Sequence, residues 1–309
     1  MKNYLLLWMH PCYHDGDEWV GIVNTEKELN ELYQENLHSE KSELFVSWGL
    51  ELVAFEYIKD KGFVPISLPV KEKKEKMIYI VSDLHGDLSY VSWFSQSNNT
   101  SAEKDIMIIL GDIGFNYYNN HKDSEMKHRA SKHPITYFCI HGNHKKRPSD
   151  IEGYKLKEWH GGQVWYQDKY PNILFAKDVE IYDFNGLKCI VIGGAYSVDK
   201  EYRLFHGFRW FENEQPSEDI KRYVEQQLEA CHYTVDVVLS HTCPLKYEPT
   251  EKFLSFIDQN KVDKSTEIWL DQIENKLNYQ KWYCGHFHTT KKIDKLQFIY
   301  HQIEEFTQE

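Results

Sequence analysis

The stretch Met77-Ile78-Tyr79-Ile80-Val81-Ser82-Asp83-Leu84-His85-Gly86-Asp87 determines how the rest of the chain is interpreted. Its first five residues are apolar or favour β-structure, which predicts a strand buried on both faces, and polar residues follow at once. Asp83 and His85 are two positions apart, so an extended backbone would direct both side chains to one side. A carboxylate and an imidazole at a strand end can begin a metal site, but a turn capped by Asp83 would have the same sequence.

Four further apolar runs end in the same kind of polar residue, and this recurrence favours one shared site over five unrelated turns. In a parallel sheet such residues would meet at one edge, beyond the carboxyl ends of the strands. The runs and their polar ends are 106–110 with Asp112, 135–140 with Asn143 and His144, 235–239 with His241, and 281–284 with His286 and His288.

The predicted site is rich in oxygen and nitrogen donors and contains no thiolate. Two carboxylates, one amide and several imidazoles suit Mn²⁺, Fe or Zn²⁺ better than they suit a structural zinc. One ion seldom takes so many ligands, whereas two ions that share a bridging carboxylate do. Pairs of ions about 3.5–4 Å apart are a common device for in-line attack at phosphorus.

The order of these motifs resembles the calcineurin-like metallophosphoesterase superfamily, and the resemblance covers about residues 77 to 301. The matching motifs are Asp83-Leu84-His85, Gly111-Asp112, Gly142-Asn143-His144, Ser240-His241 and Gly285-His286-Phe287-His288. The resemblance implies two divalent ions, with Mn²⁺ favoured and Fe, Zn²⁺ and Ni²⁺ as alternatives. It also implies the ligands: Asp83, His85 and His288 for one ion, Asn143, His241 and His286 for the other, and Asp112 as the bridge.

The activity implied by the resemblance is hydrolysis of a phosphate ester by a hydroxide that bridges the two ions. His144 would lie beside the leaving-group oxygen and assist its departure as a proton or hydrogen-bond donor. The phosphoprotein-phosphatase branch has an Asp-Arg pair after its Gly-Asp motif and Glu after its Asn-His motif, and this chain has neither. A Ser/Thr protein phosphatase is therefore an alternative, as are a phosphodiesterase or nuclease and a non-catalytic scaffold on the same fold.

Two basic segments are candidates for substrate contact. Residues 195–216 mix aromatic and basic side chains and are predicted to form a flap in which Arg203 or Arg209 contacts the phosphate. The alternative is that the aromatic residues only pack this segment onto the domain. The run Lys145 to Arg147 is expected to be a solvated loop, with a phosphate contact as the alternative.

Composition limits the classes of function. The net charge of −12 argues against a general electrostatic grip on nucleic acid or on an anionic membrane. The six cysteines form no Cys-x-x-Cys pair, which is typical of free thiols in a reducing compartment. No run approaches the roughly 20 apolar residues of a spanning helix, and no signal peptide is evident. These features predict a cytoplasmic protein.

The sequence predicts two domains, and the first has no assigned role. Residues 1–70 form a small α+β module that could recruit a protein partner, 71–76 are a charged linker, and 77–309 are the metallophosphoesterase domain. In the module, a polar loop explains His10, Cys12, His14 and Asp15 better than a metal site does.

The fold class of the larger domain is α/β. Strands alternate with helical patterns to about residue 150, which predicts parallel pairing. Four closely spaced strands between 163 and 194 then predict an antiparallel meander. Together these patterns predict two packed mixed β-sheets flanked by helices, a metallophosphoesterase-like sandwich.

Overall fold

The computed structural model describes residues 4–9, 18–24, 26–37, 39, 51–59, 62–66 and 76–307. The chain divides into two compact units, Met1–Lys73 and Lys74–Glu309. The predicted strand at 44–48, linker residues 71–75 and the polar residues His10, Cys12, His14 and Asp15 lie outside the described residues.

The first unit is the small α+β module that the sequence predicts. Its elements are β1 (Tyr4–Met9), β2 (Glu18–Val23), α1 (Glu26–Leu37), β3 (Glu51–Ile58) and β4 (Gly62–Ile66). The strands form an antiparallel sheet in the order β2-β1-β3-β4, and Leu6, Leu29 and Ala54 form its buried core. Pro65 lies in β4, an edge strand, where a sheet tolerates a missing N–H.

The described residues of the second unit contain thirteen strands in two sheets. In chain order they are β5 (Ile78–Val81), β6 (Ile106–Ile109), β7 (Thr136–Cys139), β8 (Lys155–Trp159), β9 (Gly162–Tyr166), β10 (Ile173–Ala176), β11 (Ile181–Phe184), β12 (Leu187–Ile192), β13 (Val237–Ser240), β14 (Lys281–Cys284), β15 (Lys291–Ile293), β16 (Leu296–Phe298) and β17 (Glu304–Glu305). One sheet has the order β17-β5-β6-β7-β10-β9-β8 and the other β11-β12-β13-β14-β16-β15.

Helices accompany these sheets. The α-helices are α2 (Ser89–Ser97), α3 (His121–Ala130), α4 (Lys200–Phe205), α5 (Glu218–Ala230) and α6 (Ser265–Glu274), and short 3₁₀ helices occur at Pro148–Asp150, Leu245–Tyr247, Thr250–Lys252 and Gln259–Lys261. Ser217 caps α5, because its side chain accepts a hydrogen bond from the backbone N–H of Ile220. Ser265 is the first residue of α6, and Lys264 precedes it. Within the described ranges, no helix combines the length and the apolar character needed to span a bilayer.

The parallel strands bring the motif-bearing ends together. Strands β5, β6 and β7 are parallel neighbours in the first sheet, and β12, β13, β14 and β16 are parallel neighbours in the second. One apolar cluster joins inward-facing residues of both sheets, including Ile80, Ile108 and Phe138 from the first and Val191 and Leu239 from the second. The predicted sandwich of two mixed sheets is therefore confirmed.

The predicted four-strand meander is wrong. Strands β9 and β10 belong to the first sheet, whereas β11 and β12 belong to the second, so the chain crosses between sheets after Ala176. The crossing follows because β10 pairs in parallel with β7 and leaves no edge for β11. Asn185 and Gly186 form the turn between β11 and β12, and φ is positive at both residues (57° and 85°), as a tight hairpin turn requires.

Candidate metal centre

Residues from five strand ends converge at one edge of the two sheets. Three strands of the first sheet and two of the second contribute, and each polar residue follows its strand within a few positions. The contributing residues are Asp83 and His85 after β5, Asp112 after β6, Asn143 and His144 after β7, His241 after β13, and His286 and His288 after β14.

The first group consists of Asp83, His85 and His288, which each place one donor atom within 4.8 Å of the others. The Nε2 atoms of His85 and His288 are 3.1 Å apart, and Nε2 of His288 is 3.7 Å from Oδ1 of Asp83. Three donors of this kind, one oxygen and two nitrogens, can hold a divalent cation.

The second group is centred on His241. Its Nε2 atom lies 2.8 Å from Oδ1 of Asn143 and 3.6 Å from Oδ2 of Asp112, and its ring centroid is 5.1 Å from that of His286. Asp83, Asp112 and His241 also lie within 4.8 Å of one another, so the two groups adjoin at Asp112. The structure thus brings all seven predicted ligands into one cluster, although His286 approaches it only beside His241.

Asp83 and His85 were expected to point the same way because of an extended backbone, and this expectation is wrong. Strand β5 ends at Val81, and the backbone at both residues is left-handed, not extended. Left-handed backbone is unfavourable for such residues and is found where surrounding structure imposes it, often at functional sites. The affected residues are Asp83 (φ 57°), His85 (46°), Asp112 (47°), His286 (68°) and His288 (48°).

Two motif glycines permit the close approach of the strand ends. A Cβ atom on Gly111 would lie 2.1 Å from Nδ1 of His241, and one on Gly285 would lie 2.5 Å from Oδ2 of Asp83. Any side chain at either position would therefore displace a candidate ligand. This explains in physical terms why glycine belongs to both motifs.

The donor set fits a cation. Asp83 is fully buried, and while its Oδ2 accepts a hydrogen bond from the backbone N–H of His286, its Oδ1 has no hydrogen-bond partner among the described residues. A buried carboxylate oxygen without a partner is costly, and a metal ion at this position would remove that cost. Nδ1 of His241 lies 2.7 Å from the carbonyl oxygen of Leu110, an arrangement that leaves Nε2 facing the cluster as a donor atom.

Burial and charge set the protonation of the cluster. Burial opposes ionisation of Asp112, but His144 and His241 outweigh it and hold the pKa of this carboxyl well below its usual range. Burial also lowers the pKa of His286 well below the ordinary histidine value. An ionised carboxylate and a neutral imidazole are the forms that bind metal.

His144 lies at the border of the cluster. Its backbone N–H donates to Oδ1 of Asp112 at 3.0 Å, and its ring Nε2 is 3.7 Å from Oδ2 of the same residue. Nη2 of Arg203 lies 3.5 Å from that Nε2 atom, and burial followed by the charge of Arg203 lowers the pKa of His144 against the opposing effect of Asp112. His144 also lies within 4.8 Å of donor atoms of His85 and Asp112, so its position alone does not separate a ligand from a proton donor.

The two candidate arginines differ in position. Arg203 is half-buried, donates through Nε to Asp199 at 2.7 Å and lines a cavity together with Asp112 and His144. Arg209 is exposed and lies outside the linings of both cavities that open on the cluster. Phe205 and Phe208 are 86% and 52% exposed, so the alternative in which these aromatics pack the segment down is wrong for both of them.

The expectation of a solvated loop at Lys145 to Arg147 is wrong for two of its three residues. Lys145 is buried and its Nζ donates to the carbonyl oxygen of Ile140 at 2.6 Å. Arg147 is buried and pairs with Asp178. Internal partners hold both cations, and the charge pattern alone could not indicate this.

Sequence reasoning missed two buried residues next to the cluster. Ser197 accepts a hydrogen bond from Nδ2 of Asn143 at 2.8 Å and donates one to Glu214 at 2.5 Å. Both residues lie in the 195–216 segment, and no motif distinguishes them there. Only the unusual presence of a buried carboxylate identifies Glu214, and burial is not visible in the sequence.

This fold and this cluster together define a metal-dependent hydrolase of phosphate esters. The chain belongs to the calcineurin-like phosphoesterase family, whose model matches residues 76–290, and the predicted resemblance is thereby confirmed. That family is a dinuclear metal-dependent group, in agreement with the two adjoining ligand groups.

Among solved structures, the chain is similar to the phosphopantetheinyl hydrolase of Mycobacterium tuberculosis, with 15% identity and a TM-score of 0.39 over 73% of this chain and 88% of that one. A search of curated proteins found no match.

Proposed function

We propose that the protein hydrolyses phosphate esters with two divalent ions held by the seven converging residues. Asp83, His85 and His288 would hold one ion, Asn143, His241 and His286 the other, and Asp112 would bridge them. The observation that carries this assignment is the adjacency of the two groups at Asp112. Carboxylate, amide and imidazole donors without thiolate suit Mn²⁺, Fe or Zn²⁺, and Mn²⁺ is the proposed ion among these.

When bound, a pair of ions supplies an activated water and offsets negative charge on the phosphoryl oxygens. The protein holds the proposed ligands and the His144 ring in place. Asp112 accepts a hydrogen bond from the backbone N–H of His144, so one carboxylate fixes both the shared ligand position and the ring beside it. Nε2 of His144 faces the cluster from the edge, where it can donate a proton or hydrogen bond to the oxygen of the departing group.

Arg203 is the proposed contact for the phosphate or its neighbouring group. Its Nε is already bound to Asp199, which directs Nη2 toward His144 and leaves this nitrogen available to an anion. A guanidinium group held in this way suits a phosphoryl oxygen. Arg209 is not retained in this role because it is exposed and lines neither cavity.

The cysteines support a proposed location in the cytoplasm. The five described cysteines are free thiols; Cys231 is half-buried, and the other four are buried: Cys139, Cys189, Cys243 and Cys284. Free buried thiols are typical of proteins from a reducing compartment.

A substrate panel with metal reconstitution tests the proposal. The chain is stripped with chelator, reloaded with Mn²⁺, Zn²⁺, Ni²⁺ or Mg²⁺, and assayed on p-nitrophenyl phosphate and bis-p-nitrophenyl phosphate. Turnover that requires added metal is expected, with two ions per chain by elemental analysis. A chain that folds, binds fewer than two ions and turns over neither ester would contradict the proposal and favour a scaffold role.

A further inference from the structure

Two cavities border the candidate metal centre, and among the described residues Asp112 and His144 alone line both. The first has a volume of about 320 Å³ and also borders Asn143, His286 and His288, whereas the second, of about 490 Å³, also borders His85. A phosphorus atom held at the shared residues would therefore have space for a substituent in each of two directions.

The first cavity has an apolar wall, and charged residues, among them Glu248, Lys252, Asp263 and Lys264, line its remaining sides. Five side chains form this wall, and the rings of two of them are stacked with centroids 6.2 Å apart: Phe253, Leu254, Ile257, Val262 and Phe287, with Phe253 and Phe287 as the stacked pair. Its volume is at the lower end of small-molecule sites, which are roughly 300–1,000 Å³. An aromatic or branched apolar group of one or two rings fits these walls.

The second cavity differs from the first because its described lining contains no comparable apolar wall. Its cations are Lys122 and Arg203, and the Nζ atom of Lys122 lies 3.8 Å from the ring centroid of Tyr118. Met126 is its only aliphatic lining residue among the described part of the chain. A polar or anionic group suits this lining better than an apolar one does.

From these linings we infer that the substrate is a phosphodiester with two unlike arms, an apolar or aromatic one in the first cavity and a polar or anionic one in the second. This deepens the proposed function and rests on it. Water supplies the oxygen of a new P–O bond, the P–O bond to one arm breaks, and that arm leaves as an alcohol carrying a proton from water. The other arm remains as a phosphomonoester. A monoester has one organic arm and would leave one cavity without an occupant.

The test uses the metal-loaded full chain and two chromogenic esters. One is thymidine 5′-(p-nitrophenyl phosphate), a diester with an aromatic and a polar arm, and the other is p-nitrophenyl phosphate. We expect kcat/KM to be at least about tenfold higher for the diester. The second arm of the diester fills a cavity that the monoester leaves empty, and burying an apolar or polar group of this size raises affinity by about tenfold or more. A preference for the monoester would overturn the inference and leave the proposed function standing. Turnover of neither ester would overturn both.

A matched pair of variants tests the apolar wall. Phe253→Ala removes a lining ring, whereas Phe256→Ala removes a ring that is 79% exposed and outside the lining. We expect Phe253→Ala to lower kcat/KM for the diester by about ten- to a hundredfold, and Phe256→Ala to leave it unchanged. Thermal melting confirms that both variants fold. Equal kcat/KM for the two variants would overturn the assignment of the aromatic arm to this cavity.

Ser197 and Glu214 carry a second, independent inference, because they form a buried series of hydrogen bonds that ends on Asn143. Nδ2 of Asn143 lies 2.8 Å from Oγ of Ser197, which lies 2.5 Å from Oε2 of Glu214. The other carboxylate oxygen accepts the backbone N–H of Ser197 at 3.1 Å. All three side chains are at least 97% buried.

The single proton of the Ser197 hydroxyl determines which group donates and which accepts in each of these hydrogen bonds. Because that proton goes to the carboxylate of Glu214, the hydroxyl can only accept from Asn143, and so Nδ2 must face Ser197. The amide oxygen is thereby directed toward His241 and the candidate metal centre. We propose that Glu214 and Ser197 are positioning residues that hold Asn143 with its oxygen available to the second ion.

Glu214→Gln exchanges the donor and acceptor roles in these hydrogen bonds with little change in side-chain shape. The backbone N–H of Ser197 retains the amide oxygen of the new side chain, so the new NH₂ donates to Oγ and the hydroxyl proton turns toward Asn143. Asn143 must then present its oxygen to Ser197 and its NH₂ to the ion. We expect one of the two metal affinities, measured by calorimetric titration of the chelator-stripped protein, to fall by about ten- to a hundredfold.

Two further variants keep this second proposal testable. Glu212→Gln makes the same charge change at an exposed position and should bind both ions as the wild type does. Ser197→Ala removes the acceptor and should weaken the same affinity even if Glu214→Gln fails to fold. Wild-type affinity for both ions in folded Ser197→Ala or Glu214→Gln would overturn the positioning role.

Discussion

Asp112 is the residue on which the two ligand groups depend. Its carboxylate lies 3.6 Å from Nε2 of His241 and belongs to close groups with donors from both sheets. Asp112→Asn should reduce the bound metal from two ions toward none, because a neutral amide is a poor bridge between two cations. Elemental analysis after reloading measures this. The exposed Asp168→Asn is the control and should retain two ions; loss of only one ion in Asp112→Asn would contradict the bridging assignment.

Substitution of His144 tests whether this residue donates a proton or binds metal. We expect His144→Ala to keep a wild-type metal content while kcat falls by about 10²–10⁴-fold, the usual range for a general acid. The loss should be smaller with nitrophenol than with alkyl leaving groups, since a good leaving group needs little protonation. Elemental analysis and a leaving-group series measure both effects. Equal losses across the series would exclude the acid role, and loss of an ion would make His144 a ligand.

At the scale of elements, the sequence predicted each buried strand of the metal centre but not how the strands group into sheets. Runs such as 106–110 are recognisable because a strand covered on both faces must be apolar throughout. Strand β8 was missed because it reads Lys-Leu-Lys-Glu-Trp and is largely exposed. The assignment of β10 and β11 to different sheets depends on the long-range pairing of β10 with β7 and of β12 with β13, and local pattern does not encode those pairings.

Some features of the candidate site could likewise be predicted from the sequence, and others could not. Residue types and order sufficed for Asp83, Asp112 and His241, since metal binding demands particular donors. The positions of Ser197, Glu214 and Lys145 could not be predicted, because each depends on burial against a distant segment. Left-handed backbone at the ligands likewise arises from the tertiary structure, and it brings Asp83 and His85 together by another route than the predicted extended strand.

The segment around α4 carries a prediction that distinguishes its two arginines. Arg203→Ala should lower kcat/KM on the preferred ester by about ten- to a hundredfold, because a charge-assisted hydrogen bond contributes roughly 1.5–3 kcal/mol. Arg209→Ala removes the same charge from an exposed position and should leave kcat/KM unchanged. Steady-state kinetics on both variants, with melting curves to confirm folding, measure the difference. Wild-type kcat/KM in Arg203→Ala would show that α4 does not contact the substrate.

Helix α6 carries a buried carboxyl with a perturbed titration. Burial raises the pKa of Glu267 from 4.5 to about 7, against the hydrogen bond from Thr242. Because the folded pKa is raised, the folded state favours the protonated form, and stability is lost as pH rises from about 4.5 through about 7. Glu267→Gln removes this loss, so it should stabilise the protein by up to about 3 kcal/mol at pH 8 and by much less at pH 5.

Denaturant unfolding at the two pH values, with metal absent throughout, measures the effect of Glu267→Gln. The exposed Glu229→Gln on α5 is the control and should change the free energy of unfolding by less than about 0.5 kcal/mol at either pH. A stabilisation by Glu267→Gln that is the same at pH 5 and pH 8 would show that the carboxyl does not titrate in this range.

At the scale of the whole molecule, the second unit contains everything that the proposed chemistry needs. Its three apolar clusters draw their described members from residues 77 to 306, and the candidate metal centre lies between residues 83 and 288. The family match covers residues 76–290 and so falls within the same unit. The first unit has its own small core at Leu6, Leu29 and Ala54. Each unit therefore has the internal apolar packing that independent folding requires.

A fragment of residues 74–309 should consequently fold and bind metal without the first unit. We expect one cooperative unfolding transition, two ions per chain after reloading, and kcat/KM on small chromogenic esters within about twofold of the full chain, because separate cores make separate cooperative units. Calorimetry, elemental analysis and steady-state kinetics on the fragment measure these quantities, with the full chain as control. Loss of an ion or of the cooperative transition would mean that residues 1–73 stabilise the catalytic unit. Retention of all three would direct the search for a role of residues 1–70 toward a protein partner.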